Sequence, residues 1–105
     1  MSEPPAHYQL LKQQQPHVIQ AYESLDAATR GAGPLDGKTV SLVKLALGLG
    51  AGLEGATHSA ARRALEAGCR PDELRHVVLL ATTTLGFPAM MRGRAWVEDV
   101  LDPAK

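Results

Sequence analysis

A chain of 105 residues, 45% hydrophobic and 21% charged, has the size and composition of one globular domain. Eleven basic and eleven acidic residues cancel to a formal net charge of zero, so no strong field draws nucleic acid or an anionic membrane, and neither is expected as a partner. Aromatics are only 4%, which leaves the core to Leu, Val and Ala, and the single cysteine, Cys69, excludes an internal disulfide and fits a reducing, cytoplasmic compartment.

Residues 1–15 read as a short polar lead without an apolar signal core. Tyr8, Leu10 and Leu11 can give it one or two helical turns that dock on something else. The domain proper is expected over 16–105. Pro16 suits the first position of a helix. Val18, Ile19, Tyr22 and Leu25 keep helical spacing to about Thr29, and the run Gly31-Ala32-Gly33-Pro34 stops it. Asp36 can cap the next helix, which runs from Lys38 to about Gly50. Its apolar residues, Val40, Leu42, Val43, Leu45, Ala46, Leu47 and Leu49, cover nearly the whole circumference. Ser41, Lys44 and Gly48 leave a narrow polar stripe. A helix apolar almost all round is expected to be buried, centrally or between copies of the chain. Gly48, Gly50 and Gly52 suit a close helix approach or a bend. The apolar stretch around 42–53, broken by Lys44 and the glycines, is too short to span a bilayer.

Leu53 to Gly68 has helical spacing, and Gly68 is a good residue to end it. Pro71 opens another helix, with Asp72 and Glu73 in the first turn, where the helix dipole favours acids. Leu74, Val77, Val78, Leu79, Leu80, Ala81 and Leu85 give it a broad apolar face. Thr82-Thr83-Thr84 lowers helix propensity toward its end. Gly86-Phe87-Pro88 breaks the chain, and a last helix follows to about Leu101, with Met91, Ala95, Trp96, Val97 and Val100 available for packing. No segment alternates with period two. The expected class is all-α, a compact domain of about five to six helices.

The candidate chemistry centres on Glu54 and His58. Four residues apart on a helix, they fall on the stripe that continues through Ala61 and Leu65. A carboxylate in that position can orient an imidazole and stabilise its protonated form; the same spacing also makes an ordinary helix ion pair. His76, early on the following helix, is a third candidate. Metal binding by His58, His76, Cys69 and Glu54 matches no established ligand spacing. Cys69 lies in a turn before a helix N-terminus, where the dipole can lower a thiol pKa, but it has no resolving partner. The glycines match neither a phosphate-binding loop nor a dinucleotide fingerprint, and no cofactor is expected. Arg92 and Arg94, at the start of the last helix, can hold a substrate carboxylate.

The order Leu35-Asp36-Gly37-Lys38-Thr39, Glu54-x-x-x-His58, Ala64-Leu65-x-x-Gly68, Pro71-Asp72-Glu73-Leu74 and Gly86-Phe87-Pro88-Ala89 resembles the carboxymuconolactone decarboxylase family, whose superfamily includes alkyl hydroperoxidase D-like proteins. The resemblance spans about 16–101. It implies an all-helical fold that assembles into homo-oligomers, commonly trimers or hexamers. It also implies acid–base decarboxylation or isomerisation of a small carboxylated lactone or related acid. His58 would move the proton and Glu54 would tune it, with His76 or an Arg from a neighbouring subunit assisting. The peroxidase branch carries Cys-x-x-Cys-x-x-x-His. Counted back from His58, its two thiols fall on Ala51 and Glu54, so no redox pair exists. The chain departs from the family pattern at Ser41 and His76, where acids are frequent, and at Thr84-Leu85, where a tyrosine–glycine run is usual. The rival expectation is a non-catalytic oligomer that binds a ligand or partner. An antioxidant role through Cys69 is a third.

Overall fold

The computed structural model describes residues 6–102. Its elements are helices α1 (Ala6–Gln14), α2 (Pro16–Arg30), α3 (Gly37–Gly50), α4 (Glu54–Glu66), α5 (Pro71–Leu80), the single turn α6 (Thr82–Leu85) and α7 (Phe87–Leu101). No strand occurs among the described residues. The chain divides into two units after Leu35. The first five residues of the expected polar lead lie outside the described ones. The rest of the lead forms α1, which lies against α2. The Tyr8 hydroxyl donates to Glu23, and Lys12 Nζ sits 3.5 Å from the same carboxylate. The helical turns expected around Tyr8 therefore dock on the helix that follows them.

In the second unit α3 packs chiefly on α4, and α4 and α5 both pack on α7. The core is aliphatic and small, as the shortage of aromatics requires. Leu45, Leu49, Ala61, Ala64, Leu74, Val78 and Val97 are buried together. Close approach is what makes so small a core dense. A Cβ on Gly48 would stand 3.2 Å from the Thr57 amide nitrogen, so α3 reaches the α4 backbone through a hydrogen atom. A Cβ on Gly93 would stand 2.5 Å from Leu49 Cδ1, so Leu49 occupies the notch that Gly93 leaves in α7.

The ends of α3 and α4 use one device. Gly52 has φ 72° and Gly68 has φ 97°, left-handed values that a side chain disfavours. At the first, the Leu53 amide donates to Gly48 O at 3.0 Å and the Gly52 amide to Leu49 O at 3.1 Å. At the second, Cys69 donates to Ala64 O at 2.9 Å and Gly68 to Leu65 O at 3.1 Å. These are Schellman caps, which satisfy carbonyls the helix would leave open. The first also reverses the chain straight into Glu54. At the other ends, Asp36 accepts from the Thr39 amide at 2.8 Å, and Glu73 Oε1 accepts from the Arg70 amide at 2.8 Å. The Thr39 bond holds the Asp36 carboxyl below its ordinary pKa.

Two elements differ from the sequence reading. The helix expected over 71–85 stops at Leu80, and Thr82 starts a separate turn with its hydroxyl bonded to Leu79 O at 2.7 Å. A threonine hydroxyl that takes a carbonyl of the preceding turn competes with the helix ladder. This division adds the seventh helical segment. On α3, the stripe of small and polar residues faces inward. Ser41 and Gly48 are buried, while Val43 and Leu47 are exposed, Leu47 at 65%. Short side chains let α4 approach on that side, beside the buried Leu45 and Leu49, while Val43 and Leu47 remain outside within a single chain.

Candidate active site at the seam of α4 and α7

Glu54 is the first residue of α4 and His58 lies one turn on, so both project from the end that the Gly52 cap fixes. An acid in a first helical turn also suits the dipole, which gives Glu54 a structural reason to be there. On the same helix Thr57, Ala60, Ala61 and Ala64 are buried. Thr57 is fully buried, and its hydroxyl donates to Leu53 O at 2.8 Å. The residue next to His58 thus pins the turn from which the imidazole projects.

The imidazole meets a partner that local spacing does not show. His58 Nε2 lies 3.0 Å from Asp99 Oδ2, across 41 residues of chain. Asp99 sits in the last turns of α7, and Glu54 completes the group: donor atoms of Glu54, His58 and Asp99 all lie within 4.8 Å of one another. The His58 side chain is 24% exposed and that of Asp99 48%, so the cluster forms an open rim. The i, i+4 pair read from the sequence is therefore two-thirds of a triad whose third member comes from another helix.

The other candidates fall elsewhere. His76 is exposed on α5 and does not belong to the cluster. Cys69 is buried, and its thiol lies 3.7 Å from Lys38 O. Burial, more than any neighbouring charge, pushes its pKa up, opposite to the lowering expected from the next helix. A raised pKa disfavours the thiolate, so Cys69 is poorly suited to attack a peroxide. Arg92 lies over the α3–α4 turn, close enough that a Cβ on Gly52 would meet its guanidinium at 3.1 Å. It also stacks over Trp96, 5.3 Å from the ring centroid. Arg92 and Asp99 are seven apart, hence on one face of α7 and about 10 Å apart along its axis. Arg94 instead borders an apolar hollow of about 270 Å³ between α5 and α7, floored by Val78, Met90 and Val97. Beside it Arg75 grips the buried Glu98 through two bonds, 2.8 and 3.1 Å long.

The fold is an all-helical bundle packed through small residues. The chain belongs to the carboxymuconolactone decarboxylase family, whose model matches residues 16–99. It is similar in fold to the apo crystal structure of a carboxymuconolactone decarboxylase family protein from Legionella pneumophila, with a TM-score of 0.77 and 21% identity, covering 94% of this chain and 88% of that one. No functionally curated protein matches the chain. With one cysteine in the sequence, the paired thiols of the peroxidase branch are absent. Among the described residues, no helix is long and apolar enough to cross a membrane.

Proposed function

We propose that this protein is an acid–base catalyst acting on a small carboxylated lactone or related acid, by decarboxylation or isomerisation. The observation that carries the reading is the 3.0 Å approach of His58 Nε2 to Asp99 beside Glu54. His58 is the proton carrier. Asp99 holds one ring nitrogen and fixes the orientation of the imidazole, while Glu54 adds negative charge that supports its protonated form. Arg92, on the same face of α7, is placed to hold a substrate carboxylate at the near end of the seam. His76 would assist only from a neighbouring subunit. The test is turnover of a carboxylated γ-lactone, followed as CO₂ release and as loss of lactone. His58→Ala is expected to lose about 100-fold or more in kcat. An unchanged rate in that variant removes the reading.

Assembly of several copies belongs to the same proposal. Within one chain, Val43 and Leu47 on α3, Leu53 at the following turn, and Leu79, Leu80 and Phe87 are exposed. Apolar side chains exposed in such number ask for a covering surface, and further copies in a trimer or hexamer supply one. Elution as a monomer at micromolar concentration on gel filtration would contradict this.

A second reading has its own observation. Glu54 and Asp99 are exposed at an open rim rather than enclosed with the histidine. That exposure favours a non-catalytic oligomer that binds an acidic ligand or a partner, and absence of turnover with ligand binding retained would select it.

A further inference from the structure

We propose that Glu54, His58 and Asp99 bind a divalent transition-metal ion, with zinc as the ion to test first. One imidazole nitrogen and two carboxylate oxygens lie within 4.8 Å of one another. Around a zinc ion with bonds of about 2.0–2.2 Å, neighbouring donors stand roughly 3–3.6 Å apart. Closing the group therefore asks for side-chain movements of at most about 2 Å, and rotamer changes of an exposed glutamate and aspartate supply that. The backbone need not move. Glu54 and His58 present their donors from successive turns of α4, and the buried alanines of that helix fix its place in the core.

The donor set chooses the kind of ion. Two carboxylates and a neutral imidazole carry charge −2, which balances a divalent cation. Nitrogen with oxygen suits zinc, cobalt and their neighbours; magnesium and calcium prefer oxygen alone. Exposure of Glu54 and Asp99 leaves the remaining coordination positions to water or to an incoming ligand. In the ion-bound form His58 Nε2 turns its lone pair to the metal, and Asp99 changes from hydrogen-bond partner to co-ligand.

The site uses the side chains of the proposed active site but does not depend on turnover, because binding is measured without substrate. Isothermal titration of the full-length protein with zinc chloride is expected to give one ion per chain, and cobalt(II) chloride is expected to develop a visible absorption band. Magnesium chloride is expected to give no heat. His58→Ala, and separately Asp99→Asn, should weaken zinc binding by at least about 10-fold, since loss of even an outer partner of a ligand costs that much. His17→Ala, on the surface of α2, should change nothing. No zinc binding by the wild-type protein, or equal binding by wild type and a folded His58→Ala variant, overturns the proposal. A protein that turns over a lactone but binds no zinc refutes this site and leaves the proposed function standing; one that binds zinc at these residues but never turns over does the reverse.

Discussion

The two flanks of α4 have opposite characters. One flank is Thr57, Ala60, Ala61 and Ala64, small, buried and in contact with the cores of its neighbours. The other is Glu54 and His58, charged or titratable and open to water, with Asp99 reaching across from α7. The lesson is a division of labour on one helix. Small residues give up side-chain surface so that helices can meet at backbone distance, and this fixes where α4 and α7 run. The polar group inherits its geometry from the packed flank, and the proposed chemistry rests on that geometry.

This contrast can be broken from the packed side. Gly93→Ala places a methyl group where Leu49 already sits, at 2.5 Å. Overpacking of a dense core costs about 1–3 kcal/mol, of which the better helix propensity of alanine returns up to about 1 kcal/mol. The expected outcome is a lower Tm by calorimetry, from a strained contact between α3 and α7. Equal or greater stability would show that Leu49 has room to move and that this contact is not fixed by close approach.

A smaller effect is expected at the cap of α3, with a pH dependence whose sign follows from the bond it makes. The folded protein holds the Asp36 carboxyl below its ordinary pKa, through the Thr39 amide. A depressed folded pKa contributes stability that is present above the unfolded value and is lost as pH falls through the folded one. Asp36→Ala should therefore lower Tm at neutral pH, with the gap to wild type closing in acid below the usual carboxylate range. A gap that stays constant through that range would mean the cap works without its charge.

The helix ends were legible because they rest on local chemistry. Pro16, Asp36, Gly68, Pro71 and Gly86 mark them, and the helices stop and start there or within a residue or two. The Glu54–His58 pair was legible for the same reason, as two residues one turn apart. Asp99 was not. Its partner is 41 residues away, and nothing in the local pattern of α7 tells a surface acid from one that meets a histidine. The one signal available was that Arg92 and Asp99 share a face of α7, which marks a polar face without saying what it covers. The inward turn of Ser41 was not legible, because hydrophobicity alone ranks leucine as the interior residue, whereas the close approach at Gly48 was. Where helices meet at backbone distance, small residues go inside beside the buried Leu45 and Leu49.

The claim at the centre is that Asp99, a residue remote in sequence, completes a working site with His58. The kcat of Asp99→Asn on a carboxylated lactone tests it most directly, with Tm measured beside it. Because Asp99 is exposed, Tm is expected within about 0.5 kcal/mol of wild type in stability terms, as for surface substitutions generally. The kcat of Asp99→Asn is expected to fall in the same direction as that of His58→Ala, though less, since the imidazole remains but loses its orienting partner. A folded Asp99→Asn protein that turns over at the wild-type rate, while His58→Ala does not, would contradict it.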